Sequence, residues 1–207
     1  MKYRTISLLL VAIAVVGCNT SKKMNQNNYS LDSSTLSDGN NIENYKAELT
    51  EKDLKYLKQC LILAEDALMA GDEPFGSILV NQRDEVIATA RNRVNEINVL
   101  AHPEIELAKW AAENLSEEER KNTTMYTSGE HCPMCATAHG WVKIGGLVYL
   151  HSSHQLGEWL KEFGVKEAPI TFIPVEDLIK DADIKGPAKG DLLEDIKQLH
   201  KRYHQRK

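Results

Sequence analysis

The sequence predicts an α/β fold built on a mixed five-stranded sheet whose last two strands run parallel. Three observations carry this. Stretches with apolar residues at helical spacing alternate with short β-favouring runs. Two of those runs, 77–80 and 85–91, are separated only by a turn at 81–84 and so read as an antiparallel hairpin. The runs at 147–151 and 170–173 are instead joined through a helical stretch at 155–163, and a helix in the connection implies a parallel crossover.

The chain opens on a segment outside that fold. Lys2 and Arg4 give a positive start, residues 6–16 are an apolar run too short to span a bilayer comfortably, and Gly17-Cys18 follows. This resembles the signal peptide and lipobox of bacterial lipoproteins, which implies cleavage before Cys18 and lipidation of that cysteine. Two or more acyl chains on one residue anchor a protein stably, because each buried CH₂ contributes roughly 0.8 kcal/mol. The competing reading is an ordinary secretory signal with a cysteine near the cut. Asn19 in place of aspartate points to the outer membrane in a two-membrane envelope. The resemblance therefore implies an exported protein held to the membrane by its lipid. Residues 19–46, rich in Asn and Ser, lack the apolar surface that would offset ordering entropy and read as a flexible tether. The folded domain is expected at 47–185, and a C-terminal helix with a basic tail at 186–207.

Within the domain the first helix begins at Thr50, where Thr50-Glu51-Lys52-Asp53 is close to a capping box. Leu54, Leu57, Leu61, Ala64 and Leu68 recur at helical spacing, Cys60 lies beside them as a small buried hydrophobe, and Gly71 ends the helix. In the hairpin partner, Val86, Ala88 and Ala90 alternate on one face. Residues 92–100 are a loop, and Pro103 fits the first turn of a second helix with Leu107, Trp110, Ala111 and Leu115 as its buried stripe. The charged run 117–120 reads as a solvated turn, 123–128 as a strand, and 132–144 as a helix closed by Gly145-Gly146. The stretches 177–184 and 191–202 read as terminal helices. The formal net charge of -5 lowers the expectation of nucleic-acid binding, which needs a basic surface to neutralise phosphates. Four cysteines spread over 207 residues are no disulfide framework.

The chemistry concentrates at two of these helix starts. Cys132 and Cys135 put two sulfurs on one side of a first turn, where the partial positive charge of the helix favours thiolates. His102, at another helix start, supplies a third ligand. Thiolate with imidazole suits zinc, and three protein ligands leave the fourth position to water, whose pKa on zinc falls to about 7. Glu104, two residues after His102, is placed to take a proton from that water and return it to a substrate.

His-x-Glu followed by Cys-x-x-Cys is the signature of zinc nucleobase deaminases. Residues from about 50 to 175 resemble the cytidine and deoxycytidylate deaminase superfamily, whose fold is a three-layer α/β/α arrangement. Pro74-Phe75-Gly76, Asn92-Arg93, His102-Pro103-Glu104 and Cys132-Pro133-Met134-Cys135 look like its guanine deaminase and tRNA adenosine deaminase branch. The parallel final strands point the same way. The resemblance implies that Asn92 hydrogen-bonds the base and that Phe75 belongs to the pocket. It also implies homodimers in many members, a point on which this sequence is silent. The chain departs from the family pattern at His131, where proline is usual, and at Pro103, where a small residue is usual. His131 reads as a pocket residue, as a group approaching the metal, or as a neighbour hydrogen-bonded to backbone. His139 lies too far along its helix to be a ligand.

These readings converge on a zinc-dependent hydrolytic deaminase of a free nucleobase or nucleoside, with guanine the first choice of substrate and ammonia as a product. Export argues for a small diffusible substrate and against tRNA. A cytosine-type or pterin substrate is an alternative. So is a zinc-stabilised binding lipoprotein without turnover, in which His131 would close the coordination sphere.

Overall fold

The computed structural model describes residues 48–206. The proposed signal peptide with Cys18, and the tether at 19–46, lie outside the described residues. No helix of the described residues is long and apolar enough to cross a membrane.

Helix α1 (Glu51–Ala70) starts as its sequence dictates. The Thr50 hydroxyl accepts from the Asp53 N–H while the Asp53 carboxylate takes the Thr50 N–H, a full capping box, and Gly71 closes the helix at φ 94°. Strands β1 (Gly76–Val80) and β2 (Val86–Arg91) form the expected antiparallel hairpin, with a register shift between Leu79 and Val80. β2 is the sheet edge, and Val86 and Ala88 on it remain partly exposed. Helix α2 (Pro103–Asn114) begins with Pro103, where a missing N–H costs nothing. The charged run expected as a turn is the short helix α3 (Glu117–Lys121), held by its own capping box between Ser116 and Glu119. Strand β3 (Thr124–Gly129), helix α4 (Pro133–Val142), strand β4 (Gly146–His151) and helix α5 (Ser153–Glu162) follow.

After α5 the expected order changes. The run at 170–173 is not a strand: Ile170, Phe172 and Ile173 lie on the surface between Pro169 and Pro174. The helix α6 (Val175–Leu178) comes next, and the fifth strand, β5 (Asp183–Lys185), takes up the end of the stretch that reads as helix at 177–184. Helix α7 (Asp191–His204) completes the chain. The sheet order is β2-β1-β3-β4-β5, with β1 antiparallel to β2 and β3, and β3, β4 and β5 mutually parallel. The parallel ending is therefore correct, while the strand that provides it lies later in the chain.

Period-two alternation splits the core between the sheet faces. Ile78, Val80, Tyr126, Val148 and Leu150 pack beneath α1 and α7, with Leu57, Leu68, Ile196 and Leu199. Leu79, Met125, Leu147 and Tyr149 pack on the other face against Leu107, Ala111 and Ala136 of α2 and α4. This is a three-layer α/β/α sandwich. Gly76 lets α1 sit directly on the start of β1, since a Cβ there would lie 2.4 Å from the Leu63 Cβ and 2.6 Å from the Cys60 carbonyl. Cys60, fully buried in that contact, is an inert hydrophobe whose thiol pKa is pushed up by burial.

Candidate active site

Two helix starts meet on the α2–α4 face. His102 is the N-cap of α2 and Cys132 the N-cap of α4, and neither side chain caps its own helix. Both instead turn to a common point with Cys135. The ligand atoms of these three residues all lie within 4.8 Å of one another, and His102 Nδ1 is 3.8 Å from Cys132 Sγ and 3.7 Å from Cys135 Sγ. A tetrahedral site with metal–sulfur bonds of about 2.3 Å and metal–nitrogen bonds of about 2.0–2.1 Å needs a sulfur–nitrogen separation of about 3.6 Å. The donors are thus spaced for an ion that could hold them without rearrangement. Charge agrees with geometry. The hydrogen bond from Cys135 pushes the Cys132 pKa down against burial, with the His102 bond adding to it. The same bond, with burial, pushes Cys135 up. The bond to Cys132 raises the His102 pKa.

Glu104 stands in the first turn of α2 and is 4 % exposed. Its Oε1 accepts from the Thr127 hydroxyl at 2.9 Å and from the Ser77 hydroxyl at 3.3 Å; the two hydroxyls are themselves 2.9 Å apart. Ser77 and Thr127 are direct register partners on β1 and β3, so the sheet itself aims them at the carboxylate. Burial raises the Glu104 pKa, opposed first by the nearby His102 charge. A carboxylate poised in this way can hold a proton as well as release one.

Asn92 is fully buried in the loop that leads to His102. Its backbone N–H donates to the Phe75 carbonyl at 2.9 Å, and its side-chain Oδ1 accepts from the Val94 N–H at 3.0 Å. That bond fixes the amide, leaving Nδ2 as a buried donor without a partner. Phe75 is half-buried, its ring 5.0 Å from that of His200 and 6.0 Å from that of His151, centre to centre. His131, 1 % exposed, does not join the three-ligand cluster; its Nε2 lies 3.2 Å from His139 Nδ1. The side chain of His139, not backbone, is therefore its partner.

Several contributors were not expected from sequence. Ser77 and Thr127 are polar residues inside strands otherwise buried, a signal visible in the sequence without its meaning. Glu73 is a half-buried carboxylate whose pKa burial raises and whose charge interacts with His102. Glu130, between β3 and the cysteine turn, accepts from the Ser153 N–H at 2.7 Å and the Val175 N–H at 2.9 Å, joining the starts of α5 and α6.

With that geometry in place, comparison with known proteins is informative. The family of MafB19-like deaminases matches residues 51–181. A probable cytosine deaminase of Schizosaccharomyces pombe is 32% identical over 148 residues, covering 72% of this chain and 89% of that protein. A tRNA-specific adenosine deaminase of Agrobacterium fabrum is 35% identical over 95 residues, 45% of this chain and 62% of its own length. The solved structure of a guanine deaminase from Nitrosomonas europaea superposes with a TM-score of 0.55 at 22% identity, over 78% of this chain and 88% of that one, and shares the fold. The chain belongs to the MafB19-like deaminases, within the cytidine and deoxycytidylate deaminase superfamily, and is a hydrolase acting on C–N bonds.

Proposed function

We propose that the protein holds zinc through His102, Cys132 and Cys135 and hydrolytically deaminates a free nucleobase or nucleoside, guanine first among them, with release of ammonia. The observation that carries this reading is the juxtaposition of the three-ligand cluster with the buried, hydroxyl-held carboxylate of Glu104 on one helix start. The two sulfurs and one imidazole nitrogen match zinc in type and spacing. Zinc held there would act as a Lewis acid and make water a nucleophile near neutral pH.

The chain's own residues do the rest. Glu104 accepts a proton at its carboxylate and returns it to the base, and its raised pKa suits both tasks. Thr127 and Ser77 hold Oε1 so that the carboxylate stays in one orientation. Asn92 Nδ2, buried and unpartnered, donates to an acceptor on the base. Phe75 forms part of the pocket wall, and His131 contributes a second polar contact. A cytosine-type substrate is the second reading, favoured by the name of the Schizosaccharomyces pombe relative and the long match to it. Export and anchoring through a lipidated Cys18 belong to the same proposal and favour a small, diffusible substrate over tRNA. A homodimeric assembly is also part of the proposal.

The test is zinc content measured together with ammonia release from guanine, cytosine, adenine and pterin. One equivalent of zinc and turnover of at least one base are expected. Glu104→Ala should keep the zinc and lower turnover by about 10²–10⁴-fold. Protein that holds zinc, releases no ammonia and is indifferent to Glu104→Ala would be a binding protein, and the proposal would fail.

A further inference from the structure

Among the described residues, two buried side-chain nitrogen or oxygen atoms have no hydrogen-bond partner: Asn92 Nδ2 and His131 Nδ1. Buried polar atoms are almost always satisfied, so each such atom calls for an explanation. Both belong to segments that carry the candidate metal ligands. Asn92 stands in the loop that ends at His102, and His131 immediately precedes Cys132.

Whether His131 Nδ1 is a donor or an acceptor follows from bonds at the far side of the ring. His139 Nε2 lies 3.1 Å from the Ile144 carbonyl oxygen, which can only accept, so His139 carries its proton on Nε2. Both rings are buried, and no carboxylate hydrogen-bonds either of them among the described residues, so each is neutral with a single ring proton. His139 Nδ1 is then a lone pair. It faces His131 Nε2 at 3.2 Å, so His131 places its proton there and donates. The network thereby assigns His131 Nδ1 as an unpaired acceptor.

We propose that His131 Nδ1 accepts a hydrogen bond from an N–H of the substrate base, and that His139 is the positioning residue that keeps it an acceptor. This rests on the reading of the site as a base deaminase. His139 is fully buried and is no candidate metal ligand, so it acts only through His131. Its anchor is the Ile144 carbonyl at the far end of α4. The helix that begins with the ligand turn thus also carries, through its histidine, the setting of the neighbouring ring. A base with no N–H at that edge would leave the acceptor unpaired and bind more weakly. Asn92 supplies the complementary donor, its polarity fixed in the same manner by the Val94 N–H.

The experiment uses the full-length, zinc-loaded protein labelled with ¹⁵N at histidine, so that long-range ¹⁵N–¹H spectra read the tautomer of His131 directly. Two variants separate the relay from simple packing. His139→Leu removes the acceptor, and His139→Asn restores an oxygen acceptor where Nδ1 stood. In the wild type and His139→Asn, His131 should be in the Nε2–H form alone; in His139→Leu it should be mixed. Guanine, cytosine, adenine and pterin are the substrate probes. For whichever releases ammonia, His139→Leu should raise KM about tenfold with kcat little changed, the worth of one neutral hydrogen bond. His139→Asn should recover most of that loss whatever its melting temperature. A mixed tautomer in the wild type overturns the relay. A KM that follows melting temperature instead of tautomer overturns the substrate contact. If none of them is turned over, the deaminase reading and the substrate contact fail together, and the tautomer spectra still decide whether the relay exists.

Discussion

Acid should unfold this protein through a pair of buried histidines that are not among the three candidate ligands. His151, at the end of β4, and His200, on α7, are each 1 % exposed. His151 Nδ1 donates to the Ser152 carbonyl at 3.2 Å, and its Nε2 lies 3.3 Å from His200 Nε2. Phe75 and Trp159 enclose the pair, and the other titratable neighbour of His200 is His204. The Ser152 carbonyl favours the protonated ring of His151, but burial outweighs it. Burial pushes the His151 pKa down to about 4, and burial together with His151 pushes His200 well below its ordinary range. In the unfolded chain both return to about 6.5. Between those values the unfolded state binds more protons than the folded one, so stability is full above about pH 6.5 and falls as pH drops toward 4. At about pH 5 the unfolded imidazole is almost fully charged and the folded one almost neutral, which removes about 2 kcal/mol through His151 alone. His200 adds in the same direction. Urea denaturation at about pH 7.5 and 5 measures the loss, and the double variant His151→Gln/His200→Phe subtracts the carboxylates, which titrate in both proteins. If the wild type loses less than about 1 kcal/mol more than the double variant over that interval, the pair does not control the acid response and the argument is refuted.

Three further outcomes are expected. Cys132→Ala, or treatment of the wild type with a strong chelator, should abolish metal content by elemental analysis and with it deamination; zinc should restore the chelated wild type but not the variant. Gly76→Ala should cost about 1–3 kcal/mol by denaturation, because its Cβ would lie 2.4 Å from the Leu63 Cβ and the helix must lift off the strand. Cys18→Ser should move the protein from the membrane to the soluble fraction on cell fractionation; a variant that still sediments with membranes would exclude lipidation of that residue as the anchor.

The candidate site was legible because its parts are local. A helix start with the right side chains is written in four or five consecutive residues, and His102, Glu104, Cys132 and Cys135 occupy two such starts. The parallel ending was legible too, since a helix in a connection restricts strand direction wherever the strand lies. The position of β5 was not. Asp183-Ile184-Lys185 has no apolar run, and its pairing with Gly146, Leu147 and Val148 is decided by what β4 leaves open at the sheet edge. The apolar 170–173 segment is β-favouring by composition yet lies on the surface. Ser77 and Thr127 could be seen as polar interruptions, but their common task at Glu104 depends on the register of strands far apart in sequence. The bond between His131 and His139 was hidden for another reason: the helical period separates the two, and only the fold of the turn before α4 brings the rings together.

The carboxylate of Glu130 has a consequence for how this protein can be altered. One oxygen holds the first N–H of α5 and the other the first N–H of α6, so the starts of the two helices, 22 residues apart, are fastened to the same residue. Between them, residues 166–174 lie exposed and without regular structure. The length and sequence of that stretch can therefore drift, or accept an inserted peptide, without transmitting the change to the cysteine turn that begins two residues after Glu130.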